Sequence, residues 1–263
     1  MNIVVCVKQV PDTAEVRIDP ATNTLVRQGV TSILNPFDKQ ALETALLLKD
    51  AKGGKVVVLT MGPPQATDIL KEAIAMGADE AVLLSDRAFA GADTLATSYT
   101  LAKAIEKLAP VDLVLCGKQA IDGDTAQVGP EIAAHLGWAQ VTYAVNIKEE
   151  ETILRIEREY EDCSQVITAS LPMVVTVTRA AKEPRFASIK GKMRANRTAI
   201  PTWTAADLAV DGKKIGLDGS PTQVSRIFSP VLPQAKGEVL AGMGAEEAAK
   251  TLVEKLVAAK IIG

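Results

Sequence analysis

A single histidine, His135, supplies all the imidazole in this chain of 263 residues, and aromatic side chains make up only 3% of it. His135 lies late in a helical stretch, Glu131–Trp138, where a cation near a helix C-terminus is favourable, so it reads as structural. No serine or cysteine has a sequence-linked base, so any redox chemistry must arrive with a cofactor. The three cysteines, Cys6, Cys116 and Cys163, lack the spacing of metal ligands. Cys6 and Cys116 fall in apolar runs and read as buried thiols of a reducing cytoplasm. No run of 18 apolar residues occurs, which argues against a membrane-spanning helix. The opening Met1-Asn-Ile-Val-Val-Cys6 has no charged region ahead of its apolar run, unlike a secretory signal. A net charge of −3 is too mild for a nucleic-acid surface. The expectation is a cytoplasmic protein without metal, membrane or nucleic-acid partner.

Ala, Val, Leu and Ile are abundant, and apolar residues total 48%. That is the composition of strands covered by helices on both faces. Ile3–Val7, Lys55–Met61, Ala81–Ser85 and residues 112–116 read as strands. Residues 38–49, the stretch from Gly62-Pro63-Pro64 to Met76, residues 93–108 and residues 130–136 read as helices. This alternation predicts an α/β fold with a doubly wound, mainly parallel sheet. Residues 9–34 form a polar excursion, with a hairpin expected around Arg17-Ile-Asp and Thr24-Leu-Val-Arg. Runs at 141–147, 152–160, 164–170 and 173–179 read as strands of an antiparallel extension. Beyond residue 200 come Pro201, Pro221, Pro230 and Pro233, then a helical pattern over 246–259. The expected division is a nucleotide-binding domain over 1–200 and a C-terminal arm over 201–263. The arm has no evident core and must cover its apolar surface elsewhere, on a partner subunit or back on its own domain.

The most informative segment runs Gly117-Lys-Gln-Ala-Ile-Asp-Gly-Asp-Thr-Ala-Gln-Val128 and continues into Gly129-Pro130. It follows an apolar strand and opens a helix. A strand, a Gly- and Asp-rich turn and a helix N-terminus suit a phosphate or nucleotide, because turn glycines admit a close ligand and the helix start offers free donors. The segment is neither a G-x-G-x-x-G fingerprint nor a P-loop, and a plain strand-to-helix turn is the alternative. Gly117, Lys118, Gln119, Ala120, Ile121, Asp122, Gly123, Asp124, Thr125, Ala126, Gln127 and Val128 are the candidate contacts. A second segment, Gly91-Ala92-Asp93-Thr94 with Thr97, combines a tight turn, helix caps and hydroxyls at a helix start, which suits a pyrophosphate.

Four ordered motifs carry a family resemblance. They are Met1-Asn-Ile-Val-Val-Cys-Val-Lys-Gln-Val10; Asn35-Pro-Phe-Asp38 with Ala41-Leu-Glu-Thr-Ala-Leu46; the Gly117–Val128 segment; and Ile156-Glu-Arg158, Glu161-Asp162, Gln165, Ile167 and Pro172-Met-Val-Val-Thr176. Together they resemble the electron-transfer flavoprotein β-subunit family over nearly the whole chain. Cys163 departs from the pattern where Gly or an acid is usual. The resemblance implies that Cys6, Met61, Asn35, Pro36, Phe37 and Asp38 approach an adenine nucleotide, although helix capping alone would explain Asp38. The Gly91–Ser98 loop resembles the electron-bifurcating branch, in which this subunit holds FAD in place of AMP and oxidises NADH. The implied partners are an α subunit with its own FAD, an acyl-CoA dehydrogenase, and a ferredoxin or flavodoxin. The basic stretch 186–197 reads as a solvated loop or, by resemblance, as a dehydrogenase-docking loop with Ile189 and Met193 as anchors and Lys190, Lys192 and Arg194 as steering cations. An AMP-holding carrier and a non-redox nucleotide sensor or ATP-hydrolysing protein on the same fold remain the alternatives.

Overall fold

The structure, a computed structural model, describes residues 1–12, 18–19, 24–25, 31–150, 153–225 and 237–262. The chain divides into two units, Met1–Arg226 and Ile227–Gly263.

The first unit contains, in order, β1 (Asn2–Cys6), β2 (Gln9–Pro11), β3 (Ile18–Asp19), β4 (Thr24–Leu25), β5 (Ser32–Leu34), α1 (Pro36–Lys52), β6 (Lys55–Met61), α2 (Thr67–Met76), β7 (Glu80–Leu84), α3 (Thr94–Leu108), β8 (Leu113–Gly117), α4 (Val128–Leu136), β9 (Ala139–Glu150), β10 (Ile153–Glu159), β11 (Ser164–Ser170), β12 (Met173–Val177), α5 (Ile189–Arg197), β13 (Thr202–Trp203) and α6 (Ala205–Leu208). The main sheet runs β11-β10-β9-β12-β8-β1-β6-β7-β13. Neighbours from β9 to β13 pair parallel, and β10 and β11 add antiparallel at one edge.

The central strands are Val- and Leu-rich because helices cover both faces. Ile3 and Val5 of β1 pack with Leu42 and Leu46 of α1 and Leu70 and Ile74 of α2. The alternate residues, Val4 and Cys6, pack on the other face with Leu101 and Ile105 of α3 and Ile132 of α4. The hairpin expected near residues 17–27 is present as β3 paired with β4, Ile18 opposite Leu25; the rest of that excursion lies outside the described residues, apart from the β2–β5 pair.

Three features differ from the sequence reading. β12 is not part of the antiparallel extension; it lies between β8 and β9, parallel to both. All five of its residues are buried, and a continuous apolar run belongs in the middle of a parallel sheet. The helix expected from Gly62 opens as a 3₁₀ turn, Pro64–Ala66, before α2 begins at Thr67. The first unit continues past the expected boundary at residue 200. β13 extends the sheet beyond β7, and Leu208 and Ile215 enter the core beside α3 and α4.

The second unit holds α7 (Ala245–Ala258), which buries none of its residues. Its apolar side chains Leu252, Val253 and Val257 are exposed, and Lys255 pairs with Glu238 at 2.8 Å. Among the described residues no helix is long and apolar enough to cross a membrane.

Candidate functional site

The chain leaves β1 toward β6 and β7 on one side, then returns through α3 to β8 on the other. That reversal is a topological switch point, where the carboxyl ends of the strands leave a crevice able to take a ligand. Cys6 and Cys116 sit opposite each other in the β1–β8 register. Both thiols are buried, and contact with Cys6 holds the Cys116 thiol well above its usual range. Met61 ends β6 on the far side of β1.

The start of α1 frames the crevice. Asn35 is the residue type that caps helices, yet its side chain makes no cap bond. Its Nδ2 donates to the Gln119 carbonyl at 2.8 Å, and its Oδ1 accepts from the Ile121 N–H at 3.2 Å. Asp38 does not cap α1 either, because the helix starts two residues earlier, at Pro36. Its Oδ2 accepts from the Lys8 N–H at 2.7 Å and its Oδ1 from the Gly117 N–H at 3.1 Å. Burial pushes the Asp38 carboxyl up to about 7, although the bonds from Asn35, Lys8 and Gly117 oppose that shift. Asn35 and Asp38 thus face the backbone that forms the loop.

The loop itself folds back at Ala120, whose carbonyl accepts from the N–H groups of Gly123 and Asp124. Asp124 and Ala126 have φ of 50° and 54°, the left-handed region that non-glycine residues rarely enter away from special sites. Its two carboxylates are both engaged. Asp122 pairs with Lys8 Nζ at 2.7 Å, and Asp124 accepts from Gln119 Nε2 at 2.6 Å. The glycines have different jobs. A Cβ on Gly117 would collide with Asp38 and Phe37, so that glycine serves close packing; a Cβ on Gly123 would meet nothing within 4 Å.

Two helix starts converge here. The first turn of α4 follows the loop directly, and its leading N–H groups have no intrahelical partner. Thr94, the first residue of α3, donates its hydroxyl toward Gln127 Oε1 (3.3 Å) and Glu131 Oε1 (3.2 Å) of the α4 start. Glu131 Oε2 is buried and has no partner among the described residues. Asp93 caps α3 through the Ala96 N–H, and it also accepts from the Thr222 N–H and hydroxyl. These bonds hold its carboxyl below the usual range against the opposing effect of desolvation, so Asp93 is a committed cap. The Asp93 N–H donates to the Ser220 hydroxyl at 2.8 Å, and Gly91 turns with φ 74° against Leu217.

Asn35 and Asp38 thus hold the start of the Gly117–Val128 segment, Thr94 meets Gln127 near its end, and Cys6 stands beside Cys116 at the strand ends, with Pro36 and Phe37 in the first turn of α1. Sequence reading missed Glu131, which is invisible without the α3–α4 contact, and the separate role of Lys8, which lay inside a quoted motif. The donor set suits a phosphate ester: two helix starts, hydroxyls, and a lysine, with both loop acids already paired.

The residues expected to dock a dehydrogenase lie elsewhere. The stretch expected as a loop is helix α5, capped by Ser188 through the Gly191 N–H. α5 packs on α2 and borders a groove of about 570 Å³ lined by Met76, Lys190, Met193 and Arg197. Ile189 is 83% exposed and Met193 53%. Arg194 turns inward and donates to the carbonyls of Ile74 and Ala78, each at 2.6 Å.

Residues 22–208 match the family described as the electron transfer flavoprotein domain. The chain belongs to the electron transfer flavoprotein family. Within it, the chain is 52% identical to the electron transfer flavoprotein subunit beta of Megasphaera elsdenii, covering all of both chains. It is equally 52% identical, again over all of both chains, to the caffeyl-CoA reductase–Etf complex subunit CarD of Acetobacterium woodii. It is 50% identical to the FixA protein of Azorhizobium caulinodans, covering 88% of this chain and 85% of that one. This membership agrees with the doubly wound sheet and gives the switch-point crevice a flavoprotein context.

Proposed function

We propose that this chain is the β subunit of a heterodimeric electron transfer flavoprotein of the bifurcating kind, holding FAD at the crevice between β1 and β8. The observation that carries this reading is the convergence of the α3 and α4 starts, joined through Thr94 and Glu131. A single phosphate needs one helix start; a pyrophosphate can use both. The similarity to CarD supports the same branch.

Bound FAD would supply hydride acceptance from NADH and single-electron transfer to a ferredoxin or flavodoxin and, by way of an α-subunit FAD, to an acyl-CoA dehydrogenase. The chain's own residues bind and orient. The first turns of α3 and α4 and the hydroxyls of Thr94, Thr97 and Thr125 face the phosphates. Gly123 lets the ligand approach the backbone, and Cys6 and Met61 border the adenosine. Ile189 and Met193, flanked by Lys190 and Lys192, present an apolar knob with cations around it for an acidic dehydrogenase surface. Arg194 holds that helix in place. The exposed apolar side chains of α7 cover the α subunit.

The test is the flavin and nucleotide content of the heterodimer co-purified from co-expressed subunits. A second FAD per heterodimer supports the reading. One FAD with AMP replaces it by a simple carrier, and absence of any flavin replaces it by a nucleotide sensor.

A further inference from the structure

Asp38 is a buried carboxyl for which the flavin chemistry itself has no use. It sits where two strand ends meet. Its two oxygens take one main-chain N–H from the end of β1, at Lys8, and one from the end of β8, at Gly117. Asn35 completes the frame from the same turn by holding Gln119 and Ile121. No other described side chain bonds both strand ends. Beyond the last ladder pair, Cys6 with Cys116, Asp38 is thus the side chain that joins the two strand ends.

We propose that Asp38 is a positioning residue of the nucleotide site: as a carboxylate it ties Lys8 to Gly117 and fixes the crevice, and gaining a proton releases one tie and weakens nucleotide binding. The proposal rests on the reading above that the crevice holds FAD. A carboxylate accepts at both oxygens, whereas a carboxylic acid keeps one good acceptor and turns the other oxygen into a donor. Neither the Lys8 nor the Gly117 N–H can use that donor. One tie is then released, and the link between Lys8 and the start of the loop at Gly117 is lost, although β12 still pairs with Gly117.

The charged and titratable neighbours are few. Lys8, two residues beyond β1, lends positive charge, and its Nζ is bonded to Asp122 of the loop. Cys116 of β8 lies close enough to be raised further by the Asp38 charge, and Cys6 stands beside it. The Cys116 thiol is pushed up and stays protonated near neutrality. Asp38 is the group whose balance falls there, because burial raises its carboxyl to about 7.

FAD is the appropriate probe. Its pyrophosphate diester does not titrate near neutral pH, whereas a monoester such as AMP loses its second proton near pH 6 and would mask the effect. If only the ionised form is binding-competent, the apparent β-site dissociation constant varies inversely with the ionised fraction. For a carboxyl near 7, FAD should then bind about tenfold more weakly at pH 6 than at pH 8.

The experiment measures β-site FAD affinity in the wild-type heterodimer and in Asp38→Asn at both pH values. The expected result is the tenfold dependence in the wild type and a flat profile in the variant. A flat wild-type profile, tighter binding at pH 6, or an unchanged dependence in Asp38→Asn overturns the proposal. A ligand-free measurement separates this from failure of the FAD reading and from misfolding of the variant. The Lys8 and Gly117 amide resonances of the wild-type heterodimer should shift together with a midpoint near 7. Amides that stay still through that range overturn the proposed Asp38 tie whether or not FAD binds.

Discussion

Lys8 and Asp122 lie 114 positions apart in the chain, yet the Lys8 ammonium sits 2.7 Å and 2.9 Å from the two Asp122 oxygens. The pair ties the turn after β1 to the loop after β8. Lys8 is half exposed, so the bond is screened and contributes at most about 1 kcal/mol to folding. Lys8→Met should therefore leave the melting temperature almost unchanged while lowering β-site FAD occupancy. A large drop in melting temperature would assign the lysine to stability instead.

The two loop glycines should separate ligand space from fold space. Gly123→Val has room in the folded chain, so the variant should fold and melt normally but retain little β-site FAD. Gly117→Ala forces a methyl group into Asp38 and Phe37 and should destabilise by roughly 1–3 kcal/mol. Thermal unfolding together with flavin content distinguishes the two outcomes. Full occupancy in folded Gly123→Val would remove the loop from the site.

Asp38 also sets a sign for stability against pH. Its carboxyl rises from 3.8 in the open chain to about 7 when buried. Below that window both states hold the proton. Within it the unfolded chain has lost the proton and the folded chain keeps it, so this group's favourable contribution fades as pH rises toward 7 and is absent above. Asp38→Asn lacks the effect. The unfolding free energy of the variant relative to wild type should therefore climb across the window, by at most about 4 kcal/mol. Denaturant titrations at several pH values measure the difference, and a constant difference contradicts it.

Thr94 and Thr97 test the second phosphate anchor. Replacing both by Val keeps their volume and removes their hydroxyls. Each hydrogen bond lost to a charged group costs about 1.5–3 kcal/mol, roughly ten- to a hundredfold in affinity. The β-site FAD should weaken and NADH-driven reduction should fall with it, while the α-subunit FAD stays bound. Unchanged flavin stoichiometry and unchanged reduction together would count against a pyrophosphate at α3.

The cut that isolates the arm is at Arg226. Truncation after Thr198 removes β13, Leu208 and Ile215, which are part of the first unit's sheet and core, and should destabilise the whole unit. Truncation after Arg226 follows the division between the units. It should leave the first unit's melting temperature intact and abolish co-purification with the α subunit. A tight heterodimer from the shorter chain would show that α7 is not the clasp.

Much of this architecture could be read from local pattern. The strand–helix alternation gave the parallel sheet because both-face burial writes itself into runs such as Val56–Leu59 and Leu113–Cys116. What stayed hidden depends on contacts between distant segments. Asp38 looks like a helix cap in sequence, and its bonds to Lys8 and Gly117 appear only where β1 meets β8. Residues 201–222 read as coreless because their apolar residues are sparse. Each fills a place prepared by another element: Trp203 beside Leu84, Leu208 and Ile215 against the α3 face. The basic stretch near 190 hid a helix because its mean hydropathy is low and its cap, Ser188, is a single residue.

The bonds between Asp93 and the pair Ser220 and Thr222 bear on how the protein is made. Synthesis runs from the N-terminus and domains fold as units as they emerge. The turn that presents Thr94 is braced by a segment translated more than a hundred residues later. A nascent chain can lay down β1, α1, β6 and the loop after β8 and cap α3 locally through Asp93 and Ala96, yet the bracing of Asp93 waits until Thr222 has left the ribosome. The bracing of this turn is therefore a late step, completed only when nearly the whole first unit has emerged.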